Sequence, residues 1–253
     1  MTDISYQLYS SRNFGPIGAT LRMLAAAGYS GVEGYGGLFG DAATLDALKA
    51  ALSDSGLNMP TAHIGLDAVA GDPAGVIATA RDLGIEAVIV PFTDHQTRSA
   101  AAWAAFGAEL AEAGKPLQDA GFAFGWHNHA FEFADLGGAD RPLDLILQAS
   151  DTMMFEFDIA WAVVAGEDPA IWIEKYADRL LAVHVKDRAP EGTTAEDGWA
   201  DVGHGVINWA ALTQAVQAAG ARHLIIEHDN PADDHRFATR SIAALRGFLG
   251  DSA

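Results

Sequence analysis

The amino-acid sequence contains no cysteine, which excludes disulfide frameworks, thiolate zinc fingers, iron–sulfur sites and thiol nucleophiles. Basic residues are also scarce, because 15 Lys and Arg stand against 34 Asp and Glu and give a formal charge of −19. A nucleic-acid interface needs clustered Lys and Arg to neutralise phosphates. We therefore expect no nucleic-acid partner.

Long apolar runs are missing as well. No stretch of about 18 residues is free of charged and turn-forming residues, so we expect no membrane span. The opening segment, MTDISYQLYSS, lacks a basic end followed by an apolar stretch, and we expect no secretory signal and a cytoplasmic protein. Half of the residues are hydrophobic, which is enough to bury one large core.

Short apolar or β-branched runs alternate with longer Ala-rich stretches along the chain, and Gly, Pro, Asn or Asp separates them. Eight such pairs predict strands at 4–9, 31–35, 59–65, 87–91, 122–127, 153–158, 180–186 and 223–227, and helices at 15–27, 42–55, 73–83, 99–120, 142–150, 169–176, 209–219 and 235–249. Eight parallel strands that close on themselves form a (β/α)8 barrel, and about 250 residues is its usual size. We therefore predict the α/β class and a single (β/α)8 TIM barrel domain over residues 1–253.

An open doubly wound sheet is the alternative fold. Such sheets usually carry a Gly-rich phosphate turn after the first strand, and the sequence has none there. The segment 187–209 after the seventh strand is predicted to be an extended loop. Long loops of this kind lie over the mouth of a barrel, so this one is either a lid that influences specificity or surplus surface.

Ionisable side chains gather at the carboxyl ends of the predicted strands, which is the catalytic face of a barrel. Four of them could converge from four consecutive strands: His127, Asp158, His184 and Glu227. Two imidazoles and two carboxylates form a mixed nitrogen and oxygen set that suits Mn²⁺, Co²⁺, Fe²⁺ or Zn²⁺. Mg²⁺ prefers oxygen ligands and retains its waters. We therefore predict one divalent metal ion, and Mg²⁺ is the less favoured choice.

Several segments carry a family resemblance, and they are FGWHNHAFEF at 124–133, FEFDIAW at 155–161, AGEDP at 165–169, AVHVKDR at 182–188, DVGHGVINW at 201–209 and IIEHD at 225–229. Together they resemble the sugar phosphate isomerase/epimerase group of the xylose-isomerase-like barrel superfamily. The resemblance implies a TIM barrel with one catalytic metal ion at its mouth, held by side chains from strands five to eight. It also implies that the substrate is a small carbohydrate or polyol.

Matched by position, the resemblance assigns metal ligation to Asp158, His184 and Glu227. Ketose epimerases of this superfamily usually have a Glu on the fifth strand, where this sequence has His127. Either His127 replaces it as a ligand, or His129 or Glu132 reaches the ion instead. Related zinc endonucleases carry a second metal-binding His where this chain has Trp161, which argues against a nuclease.

The predicted chemistry is removal of a proton next to a carbonyl, with the metal stabilising the charge that develops on oxygen. Glu227 is the first choice as ligand and proton carrier, and the second acid or base is His127, His129 or Glu132. Reprotonation gives isomerisation or epimerisation. Loss of a β-substituent from a keto-sugar, keto-inositol or 3-keto-glycoside would instead make the protein a lyase or dehydratase.

Four further residues are predicted to contact the substrate: Glu33, His63, Trp161 and Lys186. Each has a structural alternative, namely a buried hydrogen bond for Glu33 and His63, packing for Trp161, and an ion pair with a neighbour such as Asp187 for Lys186. A non-catalytic sugar-binding barrel is the rival class, but it would not need ionisable groups at all four metal positions. Apolar outer helices would also allow a homo-oligomer.

Overall fold

The computed structural model describes residues 3–94 and 97–250, and it confirms the predicted (β/α)8 barrel. Its eight parallel strands are β1 (Asp3–Gln7), β2 (Gly31–Tyr35), β3 (Asn58–His63), β4 (Ala87–Val90), β5 (Ala123–His127), β6 (Met154–Asp158), β7 (Leu180–Val185) and β10 (His223–Ile226). They close into a barrel in the order β1-β10-β7-β6-β5-β4-β3-β2.

Helices surround the barrel. They are α1 (Ile17–Ala27), α2 (Ala42–Ser55), α3 (Leu66–Gly71), α4 (Pro73–Leu83), α5 (Ala100–Asp119), α6 (Pro142–Leu147), α7 (Ile159–Val164), α8 (Pro169–Lys175), α9 (Trp209–Ala218) and α10 (Asp234–Leu249). Five of these helices begin at aspartates whose side chains accept backbone N–H bonds, and these N-caps are Asp41, Asp72, Asp158, Asp168 and Asp233. No helix within the described ranges has the length and hydropathy that a membrane crossing would require.

The main hydrophobic core lies where the strands meet the helices. The long helix α5 packs so closely on β5 that a Cβ on Gly114 would lie 2.1 Å from the Phe124 ring, so this contact requires glycine. Successive strand residues face opposite sides, and the inward positions of the barrel carry both small apolar and ionisable side chains. The ionisable ones lie near the carboxyl ends of the strands, where they form the site.

Two short helices and a two-stranded ribbon were not predicted from the sequence. Helices α3 and α7 are single-turn or two-turn segments of six residues each, too short to show a helical period. The predicted loop 187–209 contains an antiparallel ribbon in which β8 (Asp187–Arg188) pairs with β9 (Trp199–Ala200). The segment is the long connection between β7 and α9 that was predicted, and the ribbon within it was missed because two-residue strands give no alternation to detect.

Candidate metal centre and active site

A cleft of about 540 Å³ opens at the carboxyl ends of the barrel strands. Its floor and walls include both ionisable and aromatic side chains. They are Tyr9, Arg12, Tyr35, His63, Phe92, His127, His129, Trp161, Asp197, Glu227 and Asp229. The cleft therefore occupies the face of the barrel at which catalytic residues were predicted.

Asp158, His184 and Glu227 come together beside this cleft. One ligand atom from each lies within 4.8 Å of the others, and all three residues are buried. His184 Nδ1 lies 2.9 Å from Glu227 Oε2. Such a buried group of two carboxylates and an imidazole could hold a metal ion.

Asp158 is positioned by the end of β6 and the start of α7. Its Oδ1 accepts the Trp161 backbone N–H at 3.0 Å and so caps α7. Its own backbone N–H donates to Asn128 Oδ1 at 3.0 Å. The second carboxylate oxygen, Oδ2, is buried and accepts no hydrogen bond within the part of the chain that the structure describes. A buried acceptor left free in this way fits a cation.

The His184 ring lies between carboxylates on both of its nitrogen sides. Its Nδ1 faces Glu227, while its Nε2 lies 2.7 Å from Glu33 Oε1 and 3.2 Å from Glu156 Oε2. Gln7 Nε2 donates to the same Glu33 oxygen at 2.7 Å. Metal-binding histidines commonly donate their second ring N–H to a carboxylate, which fixes the tautomer and the ring. With Nε2 engaged by these carboxylates, Nδ1, which faces Glu227, is the nitrogen that would ligate a metal ion.

A second group lies on the other side of His184 and comprises His63, His127, Glu156 and His184. Glu156 Oε2 is 2.5 Å from His63 Nε2 and 3.1 Å from His127 Nδ1. Glu156 was not among the predicted site residues. It precedes Asp158 by two positions, and the two-residue period of a strand places both on the inward face. That spacing was the signal that could have found it.

The predicted metal set is therefore divided between the two groups. His127 lies with Glu156, whereas Asp158 and Glu227 form the other group, and His184 belongs to both. The sheet register explains the division, because His127 pairs with Glu156 across β5 and β6, and Asp158 pairs with His184 across β6 and β7.

The charges of Asp158, His184 and Glu227 shift one another's pKa values. Burial raises the pKa of Asp158 to about 7, although Lys186 opposes this shift. Burial would also raise the pKa of Glu227, but Lys186 and His184 hold it well below its usual range. The carboxylates around His184, led by Glu156, outweigh burial and raise its pKa well above normal. Without a cation, Glu227 is thus the ionised carboxylate of this group.

The histidines of the cleft differ in the direction of their pKa shifts. Burial lowers the pKa of His127 to about 3 and lowers that of His129 well below its usual value. His63 shows the opposite direction, because Glu33 and Glu156 outweigh burial and raise its pKa. His127 and His129 are therefore neutral near pH 7 and can accept protons or hydrogen bonds.

The pKa values of Glu33 and Glu156 shift in opposite directions. Burial and the nearby Glu156 raise the pKa of Glu33. Although burial acts in the same direction on Glu156, His184 and His63 hold its pKa well below its usual range. Both residues are fully buried below the cleft. There they contact the rings of His63, His127 and His184.

The remaining predicted residues occupy different places. His63 and Trp161 line the cleft, whereas Glu33 lies beneath it. His129 also lines it, stacked on Phe131 with ring centroids 5.7 Å apart.

Glu132, a predicted acid or base, is fully buried and does not line the cleft. Its carboxylate accepts the Trp126 indole N–H at 3.1 Å and the His129 backbone N–H at 2.9 Å. Both partners belong to the segment that begins in β5 and turns towards the cleft. Glu132 therefore holds the turn that presents His129.

Lys186 is buried and pairs with Asp229 rather than with the neighbouring Asp187. Its Nζ lies 2.6 Å from Asp229 Oδ1 and 3.5 Å from Glu227 Oε2. Burial would lower the pKa of Lys186, but Glu227 and Asp229 outweigh it and raise the pKa, so the ammonium stays charged. Lys186 therefore forms a buried ion pair with Asp229, and its contact with the substrate stays a prediction.

Asp187 organises the segment between β7 and α9. Its carboxylate accepts backbone N–H groups from Arg188 at 2.8 Å, Gly203 at 2.9 Å, Gly205 at 3.1 Å and Ile207 at 3.1 Å. A Cβ on Gly205 would lie 2.2 Å from Asp187 Oδ1, so the close approach requires glycine. This network fixes the loop that borders the cleft.

The tip of the β8–β9 ribbon, at Glu196 and Asp197, has a strained backbone that side-chain hydrogen bonds hold in place. Glu196 and Asp197 adopt φ values of 50° and 57°, a left-handed conformation that is unfavourable for residues with a Cβ. Arg236 Nη2 donates to Glu196 Oε1 at 2.8 Å, and Asn230 Nδ2 donates to Asp197 Oδ2 at 3.0 Å. These bonds hold Asp197 at the cleft.

The family model described as xylose isomerase-like TIM barrel matches residues 21–247 of this chain. No curated protein gives a significant sequence match. A sugar phosphate isomerase/epimerase from Parabacteroides distasonis has a similar structure, with 22% identity, coverage of 98% of this chain and 95% of that chain, and a TM-score of 0.82.

Two other solved structures share the fold. The apo 3-keto-D-glucoside 4-epimerase from E. coli is 18% identical over 98% of this chain and 100% of its own, with a TM-score of 0.71. A xylose isomerase-like barrel protein from Mycobacterium smegmatis, in complex with magnesium, is 14% identical over 100% and 98% of the two chains, with a TM-score of 0.73. The family match confirms the resemblance seen in the sequence, and the chain belongs to the xylose isomerase-like TIM barrel family.

Proposed function

We propose that this protein is a divalent-metal-dependent isomerase or epimerase that acts on a sugar or keto-sugar by removing the proton next to a carbonyl. The observation that carries the proposal is the buried convergence of Asp158, His184 and Glu227 beside an open cleft, with Asp158 Oδ2 free of hydrogen bonds among the described residues. The family to which the chain belongs supports it. We also propose that residues 1–253 act as one domain.

Asp158, His184 and Glu227 would hold the metal ion. Their nitrogen and oxygen donors suit Mn²⁺, Co²⁺, Fe²⁺ or Zn²⁺ better than Mg²⁺. When bound, the ion would supply Lewis-acid stabilisation of the negative charge that develops on a substrate oxygen. Glu33 and Glu156 accept from the opposite side of the His184 ring and so hold that ring in its ligating orientation.

Proton transfer is assigned to the residues that line the cleft. Glu227 is ionised, borders the cleft and can accept the substrate proton. His127 also lines the cleft, and its Nδ1 is engaged by Glu156 at 3.1 Å, so its Nε2 is the nitrogen available for a second proton transfer. A base and a second proton carrier are the two groups that isomerisation or epimerisation needs.

The metal site is tested by Asp158→Asn. Asn retains an oxygen to cap α7 but loses the free negative oxygen, so the variant should fold while its metal content falls well below one ion per chain. Asp41→Asn is the matched control, because Asp41 caps α2 by the same kind of bond at 3.0 Å and is exposed. Elemental analysis after incubation with Mn²⁺ and dialysis measures the result. Wild-type protein that retains no metal would refute the proposed site.

The reaction is tested by deuterium exchange. Wild-type protein with Mn²⁺ in deuterated buffer should exchange the proton next to the carbonyl of a ketose or a 3-keto-glycoside, as followed by proton NMR. Glu227→Gln should slow this exchange roughly 10²- to 10⁴-fold, the usual contribution of a general base. An unsaturated, absorbing product would identify elimination instead of isomerisation. If neither ketoses nor 3-keto-glycosides exchanged this proton, proton abstraction would be refuted.

A further inference from the structure

Lys186 places a positive charge directly against the carboxylates of the proposed metal site. Its Nζ lies 3.5 Å from Glu227 Oε2 and 3.8 Å from Asp158 Oδ2, and Asp229 Oδ1 holds it at 2.6 Å. Only 1% of the Lys186 surface is exposed. The ammonium therefore interacts with two of the three proposed ligands with little screening by solvent.

The surroundings of Lys186 keep the ammonium in this place. Its Nζ lies 4.2 Å from the centroid of the Trp199 ring and 5.0 Å from that of Trp161. Cation–π contacts with two indoles stabilise a charge that has lost its hydration. Because Trp199 belongs to β9, the ribbon covers the lysine.

We propose that Lys186 is a positioning residue that acts as a built-in counter-ion of the metal site. It neutralises part of the charge on Asp158 and Glu227 and holds these carboxylates in place before a cation binds. It then repels the divalent cation, so it lowers the affinity of the site. This inference rests on the proposed function, since it requires that the three ligands bind a metal ion.

The inference predicts a gain of affinity when the positive charge is removed. Unit charges about 4 Å apart interact strongly at the effective dielectric constant of a protein site. Lys186→Met should therefore bind Mn²⁺ at least roughly tenfold more tightly than the wild type, a difference of about 1.4 kcal/mol. In the absence of metal, the same variant should unfold at a lower urea concentration, because Glu227 and Asp229 lose their buried partner.

Lys175 provides a matched control. Its Nζ also pairs with a buried aspartate, Asp144, at 2.6 Å, and lies 4.9 Å from the Trp172 ring and 5.5 Å from the Tyr176 ring. It is not among the residues of the proposed metal site or of the cleft. Lys175→Met should therefore leave Mn²⁺ affinity unchanged, which separates the loss of a paired lysine from the loss of charge at the site.

The experiment is a calorimetric titration of metal-free protein with Mn²⁺, together with urea unfolding with and without Mn²⁺. If Lys186→Met does not fold, the double variant Lys186→Met/Asp229→Asn removes the pair without leaving Asp229 charged, and it should also bind more tightly. Equal or weaker binding by the folded variant, beside a wild type that binds, would overturn the counter-ion role alone. A wild type that binds no Mn²⁺ would overturn the proposed metal site and this inference with it.

Discussion

Asp187→Asn should destabilise the segment between β7 and α9 by about 3 kcal/mol. The aspartate is fully buried and accepts four backbone N–H bonds, two on each carboxylate oxygen. Asn keeps one oxygen but turns an NH₂ group towards the other two donors, so two bonds are lost. Hydrogen bonds to a charged group contribute roughly 1.5–3 kcal/mol each. We use the lower value because burial raises the pKa of Asp187 despite these donors.

Two measurements check this magnitude. Urea unfolding followed by Trp fluorescence reports global stability, and amide hydrogen exchange at Gly203, Gly205 and Ile207 reports local opening of the segment. Asp135→Asn is the control, since Asp135 is exposed and accepts a single backbone N–H from Gly137 at 2.8 Å. It should change stability by less than about 0.5 kcal/mol. If Asp187→Asn also stayed within about 1 kcal/mol and its amides remained protected, the carboxylate would not be what holds the loop.

Two further predictions concern a close backbone approach at Gly205 and the buried carboxyl group of Glu132. Gly205→Ala should cost about 1–3 kcal/mol in urea unfolding, because its Cβ would lie 2.2 Å from Asp187 Oδ1 and 2.3 Å from a backbone oxygen, whereas Gly138→Ala, with open space around it, should be nearly neutral. An equal effect at both glycines would contradict the steric argument. Burial raises the pKa of Glu132 from 4.5 to about 8. Folding therefore takes up a proton between these two pH values. The contribution of Glu132 to stability is lost as pH rises through about 8. Between pH 5 and pH 9, Glu132→Gln should therefore lose less free energy of unfolding than the wild type. The difference should reach several kcal/mol, at about 1.4 kcal/mol per pH unit. If the free energy of unfolding of the two proteins fell in parallel with pH, Glu132 would not titrate in this way.

The barrel could be predicted from the sequence because its signals are local. Alternation of apolar runs with Ala-rich stretches gives the strands and helices, and N-cap residues such as Asp41 and Asp168 mark where helices begin. The β8–β9 ribbon could not be found in this way. Its two-residue strands are specified by contacts between distant residues, such as those of Asp187 with the backbone beyond β9.

The candidate site, too, could be predicted from the sequence only in part. Asp158, His184 and Glu227 could be grouped because each lies at the carboxyl end of its strand. The depth of each side chain depends on the stagger between strands, which a single sequence does not reveal. His127 therefore lies beside Glu156 instead of completing the set with Asp158, and the position of Glu156 depended on the same unknown register.

The tie between Glu196 and Arg236 has a consequence for engineering. The ribbon tip lies in one connection of the barrel, its partner Asn230 lies in the next, and Arg236 lies in the first turn of the helix that follows, α10, so the two connections form a single wall of the cleft. A graft that exchanged the ribbon alone would leave the donors of the second connection unmatched and the left-handed backbone unsupported. Transplanting both connections as one cassette is the appropriate unit for redesigning the entrance to this barrel.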